Sequence, residues 1–206
     1  MAEYELYCFA QSGNAYRAAL MLNLIGADWR PVFVDFFGKG VPRTPEYRST
    51  VNEMGEVPVL VHGGKKLSQS GVILTYLAEH SKKFLPQGED ERLEALRWII
   101  FDNQKVNGFL GPYRFLRNFA KPPGQPAVME FLKGRIDNAI NIVDKRLSTH
   151  PYVLGERPTI ASSTQICASG SETWIVVGTV NGAMARASSC ASCRSDGESA
   201  SPPSVR

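Results

Sequence analysis

The chain has 206 residues, 23 Lys and Arg against 20 Asp and Glu, 43% hydrophobic and 10% aromatic residues. At about 150 residues per domain this makes one domain or two small ones, with enough aromatic content for a core. A net charge of +3 is too small for a nucleic-acid surface, no apolar run reaches a membrane span, and Met1-Ala2-Glu3-Tyr4 opens no secretory leader, so a cytoplasmic protein without nucleic-acid or membrane partners is expected.

Glu3–Phe9 alternates like a short strand and Ala10–Asn14 is turn chemistry. Ala15, Ala18, Ala19 and Leu22 then make a helical apolar face that ends at Gly26. Trp29–Phe37 reads as a second strand, and Thr44-Pro45-Glu46 as a helix start. Glu56–His62 is a third strand, followed by a Gly63-Gly64 turn and a short fourth strand at Lys65–Gln69. From Ser70 onward, Ile73, Leu74 and Leu77 recur at helical spacing. The order β-α-β-α-β-β-α predicts an α/β unit with a mixed sheet.

Three places in this unit carry chemistry. Ser12 stands between a strand and a helix start, where backbone N–H groups and the helix dipole favour an anion. Its hydroxyl is either an ordinary N-cap or a donor to a thiolate or phosphate. Val57-Pro58 opens a strand; it is either a trans edge-strand proline or a cis bond that turns the Val57 backbone toward an extended ligand. Gln69-Ser70 joins a strand to a helix and is either a helix cap or a carboxylate site, with Gln69 placed to hold an ammonium or amide. Cys8, inside the first strand, is expected to be a buried structural thiol.

The stretches Tyr7–Arg17, Gly55–Leu60 and Leu67–Leu77 together resemble the N-terminal thioredoxin-like domain of a cytosolic glutathione S-transferase. The run Ser12-Gly13-Asn14-Ala15-Tyr16-Arg17 is most similar to the serine-type bacterial and plant classes. The resemblance implies that Ser12 donates a hydrogen bond to the glutathione thiolate, with Asn14 beside it. It implies that Val57, before a cis Pro58, pairs with the cysteinyl backbone, and that Gln69 and Ser70 take the γ-glutamyl group. The chain departs from the family at Glu53, where Pro is common, and at Gln69, where an acid is common. Glutathione is then a co-substrate, no metal is needed, the second substrate is a small hydrophobic electrophile, and the assembly is a homodimer. The same site resembles relatives that act as glutathione-dependent disulfide reductases or isomerases. A non-catalytic glutathione-binding or interaction protein of the same fold is the alternative from another class.

Phe84–Gly88 is a linker, and Glu89-Asp90-Glu91 supplies an acidic first helical turn. Leu93, Leu96 and Ile100 mark the expected apolar face of that helix, widened by Trp98, Ile99 and Phe101. Gly108 and Gly111-Pro112 are expected to kink or split it. Beyond them Tyr113 and Phe109 are the candidate pocket residues for the electrophile, with Phe115 at a similar spacing; helix-bundle core is the alternative for Phe109 and Phe115. After a break at Lys121–Pro126, the residues Val128, Leu132, Ile136, Ala139 or Ile140, Val143 and Leu147 define a long amphipathic helix.

Thr159-Ile160-Ala161 resembles the family's lead-in to a central buried helix, but Ser162 replaces the Asp that closes its capping box. Composition changes at the same point. Residues 1–161 hold all 16 Leu, ten Phe and seven Tyr, whereas 162–206 hold 11 Ser, three of the four Cys and no Leu, Phe or Tyr. The Cys190-Ala191-Ser192-Cys193 spacing lacks a second pair or His cluster that would complete a metal or redox site. The expected organisation is a thioredoxin-like domain over 1–82, a linker over 83–89 and an incomplete all-α domain over 90–161. Residues 162–206 are read as an atypical Ser/Cys-rich tail, out of frame or otherwise substituted, with a disordered natural extension as the alternative.

Overall fold

A four-stranded sheet in the order β2-β1-β3-β4 organises the first part of the chain. It is formed by β1 (Tyr4–Cys8), β2 (Trp29–Phe33), β3 (Val59–His62) and β4 (Lys65–Ser68). The computed structural model describes residues 2–164, 166–169, 173–176 and 186–187. β1 runs parallel to β2 and antiparallel to β3, and β3 antiparallel to β4, which is the mixed sheet that the element order predicts. Pro31 sits in β2, at an edge, where a missing N–H removes no ladder bond. Helices α1 (Gly13–Ile25), α2 (Pro45–Thr50) and α3 (Ser70–Ser81) complete a thioredoxin-like α/β unit. Its core is Leu6, Ala18, Leu22, Leu60, Leu74 and Leu77, all fully buried.

The second strand is shorter than expected. β2 stops at Phe33, so Phe36 and Phe37 fall in the loop before the 3-10 turn Val41–Arg43. Thr44 caps α2, accepting the Tyr47 N–H at 3.2 Å.

Helices α4 (Gly88–Phe101), α5 (Gly108–Asn118) and α6 (Pro126–Leu147) form the all-α part, with the short α7 (Ile160–Thr164) after it. The break between α4 and α5 is a π-helical turn, Asp102–Asn107, so the chain splits before Gly108 and Pro112 lies within α5. The expected apolar face of α4 is corrected: Ala95, Trp98 and Ile99 are buried, while Leu93, Leu96 and Ile100 are exposed. Both stripes have helical spacing; the buried one is in line with Asp102, whose carboxylate pairs with a buried arginine.

Along α6, Leu132, Ala139 and Val143 are buried, with Ile136, Ile140 and Leu147 packed against them; Val128 at its start is exposed. Ile99 of α4 and Ile160 of α7 enter the α/β core, so one packed cluster spans both parts. Gly71 permits the close approach of α3 to α4, since a Cβ there would lie 2.9 Å from Ile99 Cγ2. Cys8 is buried in β1.

At α7, Ser162 Oγ lies 3.4 Å from the Thr159 N–H, while Thr159 Oγ1 is buried without a hydrogen-bond partner among the described residues. Ser162 therefore closes one leg of a capping box and leaves the other open. Past Thr164 the described backbone is strand: Ile166–Ser169 pairs with Thr173–Val176, which pairs with Arg186–Ala187. The rest of the 162–206 reading, Cys190 and Cys193 included, lies outside the described residues. No helix among the described residues is long and apolar enough to cross a membrane.

Candidate functional site

Two helices begin at one cleft. Its volume is about 720 Å³, and Ser12, Asn14, Val57, Pro58, Gln69 and Ser70 all line it. These six come from the first turn of α1, the loop entering β3 and the junction of β4 with α3.

Ser12 is the N-cap of α1, and its Oγ accepts the Ala15 N–H at 3.1 Å. A hydroxyl that accepts through a lone pair keeps its proton to donate, so capping and anion binding are compatible in one group. Ser70 opens α3 and is buried, with its Oγ 3.4 Å from Asn14 Oδ1. The Ser70 hydroxyl donates to Asn14, so the N-terminal ends of α1 and α3 present two sets of backbone N–H groups and the Ser12 hydroxyl to the same space, an arrangement suited to anionic groups.

Gln69 precedes α3 with φ +66°, a conformation that an L-residue adopts only when its surroundings impose it. Its Nε2 donates to Glu56 Oε2 at 2.8 Å. That bond leaves the Gln69 Oε1 and the second Glu56 oxygen as acceptors on two residues that line the cleft. Glu56 was not singled out by the sequence reasoning, although it stands in the Gly55–Leu60 stretch.

The Val57–Pro58 bond is cis. The Glu56 carbonyl before it receives Tyr47 Oη at 3.1 Å and Asn52 Nδ2 at 3.0 Å, which fixes the chain where it enters the cleft. Burial pushes the Tyr47 hydroxyl up to about 12. Gly55 takes φ +67°, and a Cβ on it would stand 2.7 Å from the Pro42 carbonyl, so only glycine fits this turn.

The opposite wall belongs to the π-helical turn, with Asn103 and Asn107, to α5, with Gly111, Arg114 and Phe115, and to Phe119 just past its end. Phe37 spans the two walls, stacked on Phe119 with centroids 4.4 Å apart. Phe9 and Phe36 continue the aromatic surface, stacked at 4.6 Å, and the Arg43 guanidinium covers Phe36 at 4.9 Å. Arg114 reaches across toward the Gln11 carbonyl, and burial holds its guanidinium below the ordinary arginine value.

Phe109 and Tyr113 are not among the residues lining this cleft. Phe109 meets Phe131 of α6 edge-on at 6.5 Å, and the Tyr113 hydroxyl accepts from Arg117 at 3.3 Å. The cleft side of α5 carries the stripe Gly108, Gly111 and Phe115, with Leu110, Pro112 and Arg114 beside it and Phe119 just past the helix end; Phe109 and Tyr113 fall outside it. Helical spacing could find that stripe; it could not say which stripe faces the sheet.

The family model of the glutathione S-transferase N-terminal domain matches residues 2–79. Disulfide-bond oxidoreductase YfcG of Escherichia coli (strain K12) is 31% identical over 164 residues, 76% of this chain and 74% of its own length. Maleylacetoacetate isomerase of Rhizobium meliloti (strain 1021) is 31% identical over 167 residues, 77% of this chain and 76% of its own. Among solved structures, a glutathione transferase family member from Pseudomonas fluorescens pf-5 with two glutathione bound superposes with a TM-score of 0.71 and 26% identity. It matches over 79% of this chain and 74% of that one.

Proposed function

The chain belongs to the glutathione S-transferase family, and we propose that it activates the thiol of glutathione and directs it at a small hydrophobic electrophile. The observation that carries this reading is the meeting of the α1 and α3 N-termini, with Ser12 and Ser70, in one cleft closed by aromatic side chains.

A free thiol with a pKa near 8.5 is only about 3% thiolate at neutral pH. Lowering it by two units makes most of it thiolate and requires roughly 2.7 kcal/mol of selective stabilisation. A charge-assisted hydrogen bond from the Ser12 hydroxyl together with the α1 N-terminus supplies interactions of that size. In this reading Gln69 and Glu56 hold the γ-glutamyl ammonium, Ser70 its carboxylate, and the Val57 backbone the cysteinyl unit. The thiol proton leaves to solvent water as the thiolate forms, and Ser12 keeps its own proton throughout. The sulfur electron pair forms the C–S bond, and the leaving group departs with the pair from the broken bond. Asn14 supports Ser70, and the Phe37–Phe115–Phe119 surface takes the electrophile.

A second reading draws on the relative named as a disulfide-bond oxidoreductase. Here the glutathione thiolate attacks a disulfide sulfur, releases one thiolate and leaves a mixed disulfide. A second glutathione resolves it, so two thiols are oxidised as one disulfide is reduced. A homodimer is part of the proposal, supported by the exposed Leu93, Leu96 and Ile100 along one side of α4.

Glutathione binding by calorimetry and turnover with an aryl halide or a small disulfide, each on wild type and Ser12→Ala, test these readings. Conjugation that drops in Ser12→Ala supports the first; disulfide reduction alone supports the second. Binding without either reaction identifies a non-catalytic glutathione-binding protein. Turnover unchanged in Ser12→Ala overturns the role of Ser12.

A further inference from the structure

The side chains of Arg17 and Asp102 are completely buried and joined, Arg17 Nη1 to Asp102 Oδ2 at 2.6 Å. The pair ties α1, the helix that carries Ser12 and Asn14, to the π-helical turn. It is an expensive way to join two helices. Arg17 Nε and Nη2 and Asp102 Oδ1 have no hydrogen-bond partner among the described residues. A buried ion pair with such loose ends contributes little stability compared with apolar side chains of similar size. Its function therefore lies elsewhere.

Asp102 Oδ2 also accepts Asn107 Nδ2 at 2.8 Å, and Asn107 lines the cleft. In an α-helix, residues five apart point about 140° away from each other, and this contact could not form. The π-helical turn Asp102–Asn107 brings Asn107 back over Asp102, so a residue that lines the cleft has its amide on a buried carboxylate. A carboxylate only accepts, so the NH2 side of Asn107 must face it. That leaves the second Asn107 N–H as a donor of fixed direction.

We propose that Asp102, anchored by Arg17, is a positioning residue that holds the Asn107 amide in the cleft wall as a hydrogen-bond donor to the electrophile. The donor suits substrates whose reacting carbon is activated by an oxygen-bearing group, carbonyl or nitro. This rests on the proposed transferase reading, and it adds to that reading the residue that contacts the electrophile and the one that positions it. Negative charge develops on such oxygens as the thiolate adds, and a pre-placed N–H stabilises it.

The test compares two probes on the full chain: a nitro-activated aryl halide and a benzyl halide that lacks an acceptor. Asn107→Ala leaves the ion pair intact. It is expected to lower kcat/KM about tenfold with the nitroaryl probe, as expected for one lost hydrogen bond, and to stay within twofold with the benzyl probe. Equal losses on both probes overturn the proposal. Because Asp102→Asn alone would strand a buried guanidinium, the anchor is removed by Arg17→Met with Asp102→Leu. In that background adding Asn107→Ala should change nothing further, and an independent tenfold loss overturns the positioning role. Hydrogen exchange over residues 102–111 reads the anchor without turnover: it should quicken in the double variant, and unchanged exchange refutes the anchor. Failure of wild type to bind glutathione at all, by calorimetry, would instead remove the transferase reading itself.

Discussion

Ser12 Oγ accepts the Ala15 N–H at 3.1 Å, which orients the hydroxyl proton away from the helix it caps. Two roles of one side chain can then be separated by substitution. Ser12→Ala removes both the cap and the donor; it should cost about 1 kcal/mol of stability and about 10²-fold in conjugation. Ser12→Asp keeps a capping acceptor but places negative charge where the thiolate would sit. Its urea midpoint should stay near wild type while its activity falls at least as far as that of Ser12→Ala. An active Ser12→Asp would show that the thiolate lies elsewhere.

Glu56 and Gln69 act as a single acceptor unit through their 2.8 Å hydrogen bond. Glu56→Gln removes the charge proposed to hold the ammonium, and glutathione affinity should weaken about tenfold, the size of one charged hydrogen bond. Gln69→Ala should weaken it comparably, and the double variant should fall short of the product of the two losses. Titration calorimetry at constant ionic strength measures all three. Multiplicative losses would mean that the two side chains work independently.

Burial raises the Tyr47 hydroxyl from its ordinary 10.0 to about 12. The folded value lies above the unfolded one, so the protonated phenol favours the folded state fully below pH 10. That contribution is lost as pH climbs from 10 toward 12, because the unfolded chain ionises first. Tyr47→Phe has no such titration. At pH 7 it should lose about 1 kcal/mol with the Glu56 carbonyl contact, and its deficit should shrink between pH 10 and 12. Denaturant midpoints at pH 7, 10 and 11.5 decide it, and a constant deficit would contradict the burial of the hydroxyl.

Local signals carried most of the α/β unit and its half of the cleft. The alternation of Tyr4–Cys8, the Gly26 stop and the Ser70 helix start act within a few residues, and the structure follows them. What escaped the sequence depends on contacts distant in the chain. The buried face of α4 runs on to Asp102, whose partner Arg17 lies 85 residues earlier, and two stripes of equal spacing gave no hint of it. Glu56 gained its place only through Gln69 across a turn. Asn103 and Asn107 reach the cleft through a π-helical turn, which breaks the 3.6-residue period on which helix-face reading depends. Phe37 became a wall residue because β2 ended four residues early.

The two stripes of α5 make different predictions. Phe115 stands in the cleft and stacks toward Phe37, with centroids 6.5 Å apart. Phe115→Ala should raise KM for a hydrophobic electrophile several-fold and leave glutathione affinity unchanged. Phe109, against Phe131, should behave oppositely: Phe109→Ala should lower the melting temperature with KM unaffected. Steady-state kinetics with the electrophile varied, beside thermal melts, checks both. A KM effect from Phe109→Ala would place the electrophile on the α6 side instead.

The N-terminus of α7 offers a gain of stability rather than a loss. Thr159 Oγ1 is buried without a partner among the described residues, and the Ser162 hydroxyl reaches the Thr159 N–H only at 3.4 Å. A carboxylate at 162 would reach that N–H with a longer arm and complement the positive end of the helix. Ser162→Asp should therefore stabilise the chain by about 0.5–1 kcal/mol, a rise of some 1–4 °C in melting temperature for a protein of this size. The gain should fall away toward pH 3 and below, where the new carboxyl becomes protonated in the folded chain as well as in the unfolded one. A melt at pH 7 and another at pH 3 measure this. Destabilisation by Ser162→Asp at pH 7 would mean that packing around Ser162, not the open cap, limits α7.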